Sequence, residues 1–130
     1  MSDIMSAILI IDDDATMRDV LYEMMHMEGF SAMVAEDGLQ AQKLLEQYEF
    51  NCIITDIVMP EKEGLETILY VRKNHPNIPI IAISGGARIK PESYLDIAQQ
   101  FGARYVFAKP FVRKDLTEAV KKCLAEPSPE

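Results

Sequence analysis

Four short apolar runs in this chain each end at a polar or charged group, and that repetition limits the fold more than any other feature. Ala7-Ile8-Leu9-Ile10-Ile11 leads into Asp12-Asp13-Asp14, and Cys52-Ile53-Ile54-Thr55 leads into Asp56. Ile80-Ile81-Ala82-Ile83 ends at Ser84, and Arg104-Tyr105-Val106-Phe107 runs on to Lys109-Pro110. Runs this short and this apolar read as strands covered on both faces, which is the habit of parallel sheets. Parallel strands bring their carboxyl ends to one edge, where open α/β sheets place their sites. Several carboxylates, a hydroxyl and an ammonium would then meet in a small space. Clustered carboxylates repel unless a cation joins them, so a hard divalent metal is implied.

Between these runs the spacing turns helical. Met17, Val20, Leu21 and Met24 share one helical face, and Gly29 closes that helix. Ser31–Ala35 reads as a further short strand, and 38–48 as a helix with Ala41, Leu44, Leu45 and Tyr48 inward. Residues 65–74 read as a third helix, with Leu65, Ile68, Leu69 and Arg72 on one side and His75-Pro76-Asn77 as its stop. Pro91 opens a fourth that ends before Gly102, striped by Tyr94, Ile97, Ala98 and Phe101. The last carries Val112, Leu116, Ala119, Val120 and Cys123. Strands alternating with helices in this way predict an α/β protein: a doubly wound five-stranded parallel sheet. One domain over 1–124 is expected. Residues 125–130, with Pro127-Ser128-Pro129, read as a flexible tail or the start of a linker.

Composition narrows the function. A chain of 130 residues is long enough for a full core. Its net charge of −8, without a basic stripe, argues against direct nucleic-acid binding. No apolar run approaches membrane-spanning length, and Met1–Ser6 lacks the basic start of a signal peptide. Cys52 and Cys123 form no pattern. Both read as buried free thiols, which fits a cytoplasmic location.

Among the polar residues, Asp14 is expected to cap the first helix. One cap needs one residue, so Asp12 and Asp13 remain for other work. Asp56 closes a buried strand. A carboxylate there can act as a nucleophile toward phosphorus and form an aspartyl phosphate. That chemistry needs a metal to offset phosphoryl charge and donors for the phosphoryl oxygens, and Lys109 and Ser84 have the right groups. Pro110 fixes the turn after Lys109, and an X–Pro bond in the cis form would help aim the lysine. His26 and His75 have no partner at ligand spacing, and Gly85-Gly86 does not have the spacing of a phosphate-binding loop.

This arrangement resembles the receiver domain of two-component response regulators over about residues 7–124. The motifs are Ile10-Ile11-Asp12-Asp13-Asp14, Thr55-Asp56-Ile57-Val58-Met59-Pro60 with Gly64-Leu65, Ile83-Ser84-Gly85, Gly102-Ala103 and Ala108-Lys109-Pro110-Phe111. Each alone is weak, but the set in this order is specific. The resemblance implies a flavodoxin-like (βα)5 fold and a phosphorylation-activated switch rather than an enzyme with its own substrate. A sensor histidine kinase or phosphotransfer protein would phosphorylate Asp56 with Mg2+. Asp13, Asp56 and the backbone carbonyl of Val58 would hold the metal directly, and Asp12 largely through water. Lys109 would pair with the phosphoryl group and Ser84 would hydrogen-bond it. The signal would pass through the face of the fourth helix, fifth strand and fifth helix to a partner protein or an output domain.

Three features depart from the family pattern. Val106 stands where a switch aromatic is usual, flanked by Tyr105 and Phe107, and the stretch from Ser84 to Gly102 is longer than usual. Val58 and Gly86 occupy places whose side chains influence phosphoryl hydrolysis in the family. Neither can hold a water by hydrogen bonding, so slow self-dephosphorylation is expected. Rival readings fit less well. A haloacid-dehalogenase-type phosphatase carries its nucleophile after the first strand, with the acidic pair late. A flavodoxin-like FMN binder would not place three aspartates against phosphate. A receiver that binds partners without phosphorylation would not need the complete acidic, hydroxyl and lysine set.

Overall fold

The computed structural model describes residues 7–56, 63–84, 100 and 102–125, with the backbone alone for 63–65 and 84. Val58, Gly86 and the expected fourth helix lie outside these residues. The apolar runs form β1 (Ala7–Ile11), β3 (Cys52–Asp56), β4 (Ile80–Ser84) and β5 (Tyr105–Ala108), with β2 at Ser31–Ala35. The described helices are α1 (Ala15–Met27), α2 (Gly38–Gln47), α3 (Glu63–Asn74) and α4 (Arg113–Ala125). Helix starts follow local chemistry. Asp14 caps α1, its side chain accepting from Thr16 N and Met17 N, and Asp37 caps α2, accepting from Gln40 N. Gly29, at φ +87°, lets the chain leave α1 through a left-handed residue.

All the described strands are parallel, in the order β2-β1-β3-β4-β5. The chain's direction of travel across the sheet reverses between β1 and β3, which is where sheets of this kind open a crevice. Register makes the carboxyl edge level. Ile11 pairs with Thr55, so Asp12 and Asp56 follow side by side. Asp56 pairs with Ile83, and Ser84 with Ala108, so Lys109 emerges one residue later on the same edge.

The strand pleat sends alternate residues to two cores. Ile8, Ile10, Cys52, Ile54, Ile81 and Ile83 pack against α1 and α4, through Leu21, Met24, Met25, Leu116, Val120 and Cys123. Leu9, Ile11, Ile53, Ile80 and Ala82 pack with Ala41, Leu45, Ile68 and Val71 of α2 and α3. The expected helix faces need four corrections. Val20, Tyr48, Leu69 and Val112 are exposed rather than inward. Val20 and Leu69 each sit one residue off the buried stripe, which runs through Leu21, Met24 and Met25 in α1 and through Ile68 and Val71 in α3. Tyr48 follows the last residue of α2 in an extended conformation, and Val112 precedes α4, so helical spacing does not govern either.

Candidate functional site

The site grows from the turn between β1 and α1. Asp12 is 1% exposed, and its N–H donates to Ala35 O at 3.1 Å. Its Oδ1 accepts the N–H of Asp14 at 2.9 Å, while its backbone carbonyl accepts from Arg18 Nη1 at 2.8 Å. Its Oδ2 is buried without a hydrogen-bond partner among the described residues, 3.6 Å from Lys109 Nζ. Asp13 is exposed and points its carboxylate to the same place. One carboxylate oxygen from each of Asp12, Asp13 and Asp56 lies within 4.8 Å of the others. Asp56 ends β3 almost fully buried, and Lys109 Nζ donates to its Oδ2 at 3.1 Å. The Lys109–Pro110 peptide bond is cis.

Charge is unevenly compensated here. Burial pushes the Asp12 carboxyl up from its ordinary pKa, the Asp14 N–H pulls it back, and the Asp56 charge pushes it up again. For Lys109 burial pulls the ammonium down, but the carboxylates of Asp56 and Asp12 outweigh it and the net shift is upward. The lysine therefore stays charged. Three carboxylates against one ammonium leave two negative charges when all are ionised. A buried oxygen of that set without a hydrogen bond among the described residues, in an all-oxygen donor set, fits a hard cation such as Mg2+.

The structure thus brings together Asp12, Asp13, Asp56 and Lys109, as the sequence suggested, and gives Asp14 to the helix cap. Ser84 ends β4 opposite Ala108 at the same edge; Val58 lies outside the described residues. Arg18 was not anticipated. Its spacing from Asp12, one helical turn past the cap, is the only sequence signal for the contact. Both histidines lie beside tyrosine rings: His26 stacks on Tyr22 and His75 tilts against Tyr70. Cys52 and Cys123 are buried thiols without a disulfide, as expected.

The family model for the response regulator receiver domain matches residues 8–121. The chain belongs to that family. This receiver domain is 32% identical over 120 residues to the transcriptional regulatory protein CpxR of Escherichia coli, covering 92% of the chain and 50% of CpxR. It thus spans about half the length of that relative. Among solved structures, a CheY-like receiver domain protein from Methanospirillum hungatei matches with a TM-score of 0.83 at 28% identity, covering 95% of this chain and 96% of that one. The response regulator TrrA from Thermotoga maritima, solved in complex with Mg2+ and BeF, matches at 0.78 and 31% identity, covering 92% of this chain and 100% of TrrA. Receiver domains serve phosphorylation-based signalling and generally bind Mg2+, so the role of this one is a signalling role. Among the described residues no helix is long and apolar enough to cross a membrane.

Proposed function

We propose that this receiver domain accepts a phosphoryl group on Asp56 from a histidine kinase or phosphotransfer protein in the cytoplasm. The observation that carries the reading is Lys109 Nζ at 3.1 Å from Asp56 Oδ2 and 3.6 Å from an Asp12 oxygen that is buried without a hydrogen bond among the described residues. Asp12, Asp13 and Asp56, with the Val58 carbonyl that the family pattern adds, would hold Mg2+. When bound, the ion supplies positive charge for the phosphoryl oxygens. The Asp56 carboxylate attacks phosphorus, a P–O bond forms and the P–N bond to the donor imidazole breaks. The leaving electron pair stays on the imidazole nitrogen. Lys109 holds the carboxylate in place beforehand and pairs with a phosphoryl oxygen afterwards. The Ser84 hydroxyl donates to another phosphoryl oxygen.

Occupancy of Asp56 then biases two arrangements of the face that includes β5 and α4, which a partner protein or an output domain reads. Residues 1–124 form the signalling unit and 125–130 its tail or linker. Loss of the phosphoryl group by hydrolysis belongs to the same site. The test is incubation with Mg2+ and acetyl phosphate. One phosphoryl group should appear on Asp56, labile to hydroxylamine, and Asp56→Asn should prevent it. A modified serine or histidine in its place would sink the proposal.

A further inference from the structure

Arg18 is a cation beside the site that the mechanism above leaves unused. It stands one turn into α1, and its Nη1 donates to the backbone carbonyl of Asp12 at 2.8 Å. That carbonyl belongs to the peptide unit joining Asp12 to Asp13. The orientation of the unit fixes the direction in which the Asp13 side chain leaves the backbone. The flanking groups are already pinned. Asp12 N is bonded to Ala35 O at 3.1 Å, and Asp14 N to Asp12 Oδ1 at 2.9 Å. Asp13 itself is exposed, yet one of its carboxylate oxygens lies within 4.8 Å of those of Asp12 and Asp56. An exposed side chain keeps such a place most readily when the backbone beneath it is fixed.

We propose that Arg18 is a positioning residue. By clamping the Asp12–Asp13 peptide it aims the Asp13 carboxylate and so sets the affinity for a divalent cation. The inference rests on the function proposed above. The charge of Arg18 acts in the opposite direction, because a guanidinium close to the site repels a dication. Removing charge alone would tighten Mg2+ binding, and removing the clamp would weaken it. The sign of the change therefore decides between the two.

The experiment is a Mg2+ titration followed by amide chemical shifts, on the unaltered protein, Arg18→Met, Arg18→Lys and Asp13→Ala. Arg18→Met should weaken binding by about tenfold. Arg18→Lys, which keeps a donor, should recover part of the loss. In the Asp13→Ala background, Arg18→Met should add little, because its effect runs through Asp13. The Mg2+ concentration giving half-maximal phosphorylation of Asp56 should rise in Arg18→Met, while the rate at saturating Mg2+ returns to that of the unaltered protein. Equal or tighter Mg2+ binding in Arg18→Met would overturn the proposal, as would a lowered saturated rate with unchanged half-saturation. Failure of the unaltered protein to bind Mg2+ would instead overturn the function reading, and this inference with it.

Discussion

The two edges of the sheet both bury polar groups, and they treat them in opposite ways. At the amino edge, Arg72 reaches out of α3 and donates through Nη1 to Pro76 O at 3.2 Å and through Nη2 to Ile78 O. The methylenes of Arg72 cover Gly102, which sits at φ +75°. Asn51 accepts the first strand N–H, that of Ala7, at 2.9 Å, and the Cys52 thiol meets that of Cys123. That contact, with burial, holds the Cys52 pKa well above its usual value. At the carboxyl edge, carboxylates crowd together and an Asp12 oxygen has no hydrogen bond among the described residues. One edge spends its polar groups on loops and on holding the chain together, although Arg72 Nε is buried there without a hydrogen bond among the described residues. The other leaves them open for a ligand, at a cost to the folded state.

The largest effects should separate along that division. Asp56→Asn should abolish phosphoryl acceptance while leaving the fold intact. Arg72→Met should do the reverse. It frees the carbonyls of Pro76 and Ile78, and is expected to lower unfolding free energy by about 2 kcal/mol. Urea unfolding measures the loss, and Mg2+ binding and acetyl phosphate labelling should persist in the folded variant. If Arg72→Met stayed folded but could not be phosphorylated, the two edges would not be independent.

A second effect sharpens the picture within the carboxyl edge. In the family pattern the side chains at the places of Val58 and Gly86 influence hydrolysis of the phosphoryl group, and neither residue carries a side-chain hydrogen-bonding group to hold a water. The phosphorylated form should therefore decay slowly. Asn at position 58 together with Glu at position 86 should hasten decay about tenfold, which corresponds to ~1.4 kcal/mol of barrier. Decay of the labelled protein at equal Mg2+ measures it. An unchanged or slower decay would place control of the water elsewhere.

The sequence made the carboxyl edge more legible than the helices around it. The central strands are short and almost wholly apolar, so their ends lie close to the first charged or hydroxyl residue; β1 and β2 fall where their residues suggest, β3 and β4 run one residue further, through Asp56 and Ser84, and β5 lies one residue later than expected, at Tyr105–Ala108. Parallel pairing then fixes which residues meet, which is why Asp12, Asp13, Asp56 and Lys109 could be grouped in advance. Helix faces are harder, because one residue is 100° of rotation and an apolar side chain off the stripe looks the same as one on it. Val20 and Leu69 are such cases. Arg18 escaped notice because its contact is to a backbone carbonyl, which leaves no pattern in side-chain chemistry.

The smallest effect concerns the cost of the carboxyl edge itself. Burial raises the pKa of Asp12, so the folded state binds that proton more tightly than the unfolded state does. The resulting stabilisation is fully present below the unfolded pKa and is lost as pH rises through the folded one. At neutral pH the ionised Asp12 therefore weighs against folding. Lys109, whose pKa is also raised, keeps its charge through this range; its contribution is lost only in alkaline solution, so an acid-side change belongs to the carboxylate. Asn at position 12 keeps an oxygen for the Asp14 N–H and removes the charge. Asp12→Asn should therefore raise stability near neutral pH, without Mg2+, by about 1 kcal/mol. The gain should shrink as the solution is made acid enough to protonate Asp12. It should also shrink when Mg2+ is added, because a cation that binds the folded unaltered protein stabilises it in turn. Urea unfolding at several pH values, with and without Mg2+, measures both trends. A variant less stable than the unaltered protein at neutral pH would mean that the attraction of Lys109 at 3.6 Å outweighs the burial of Asp12, and that the carboxyl edge holds its charges at no net cost.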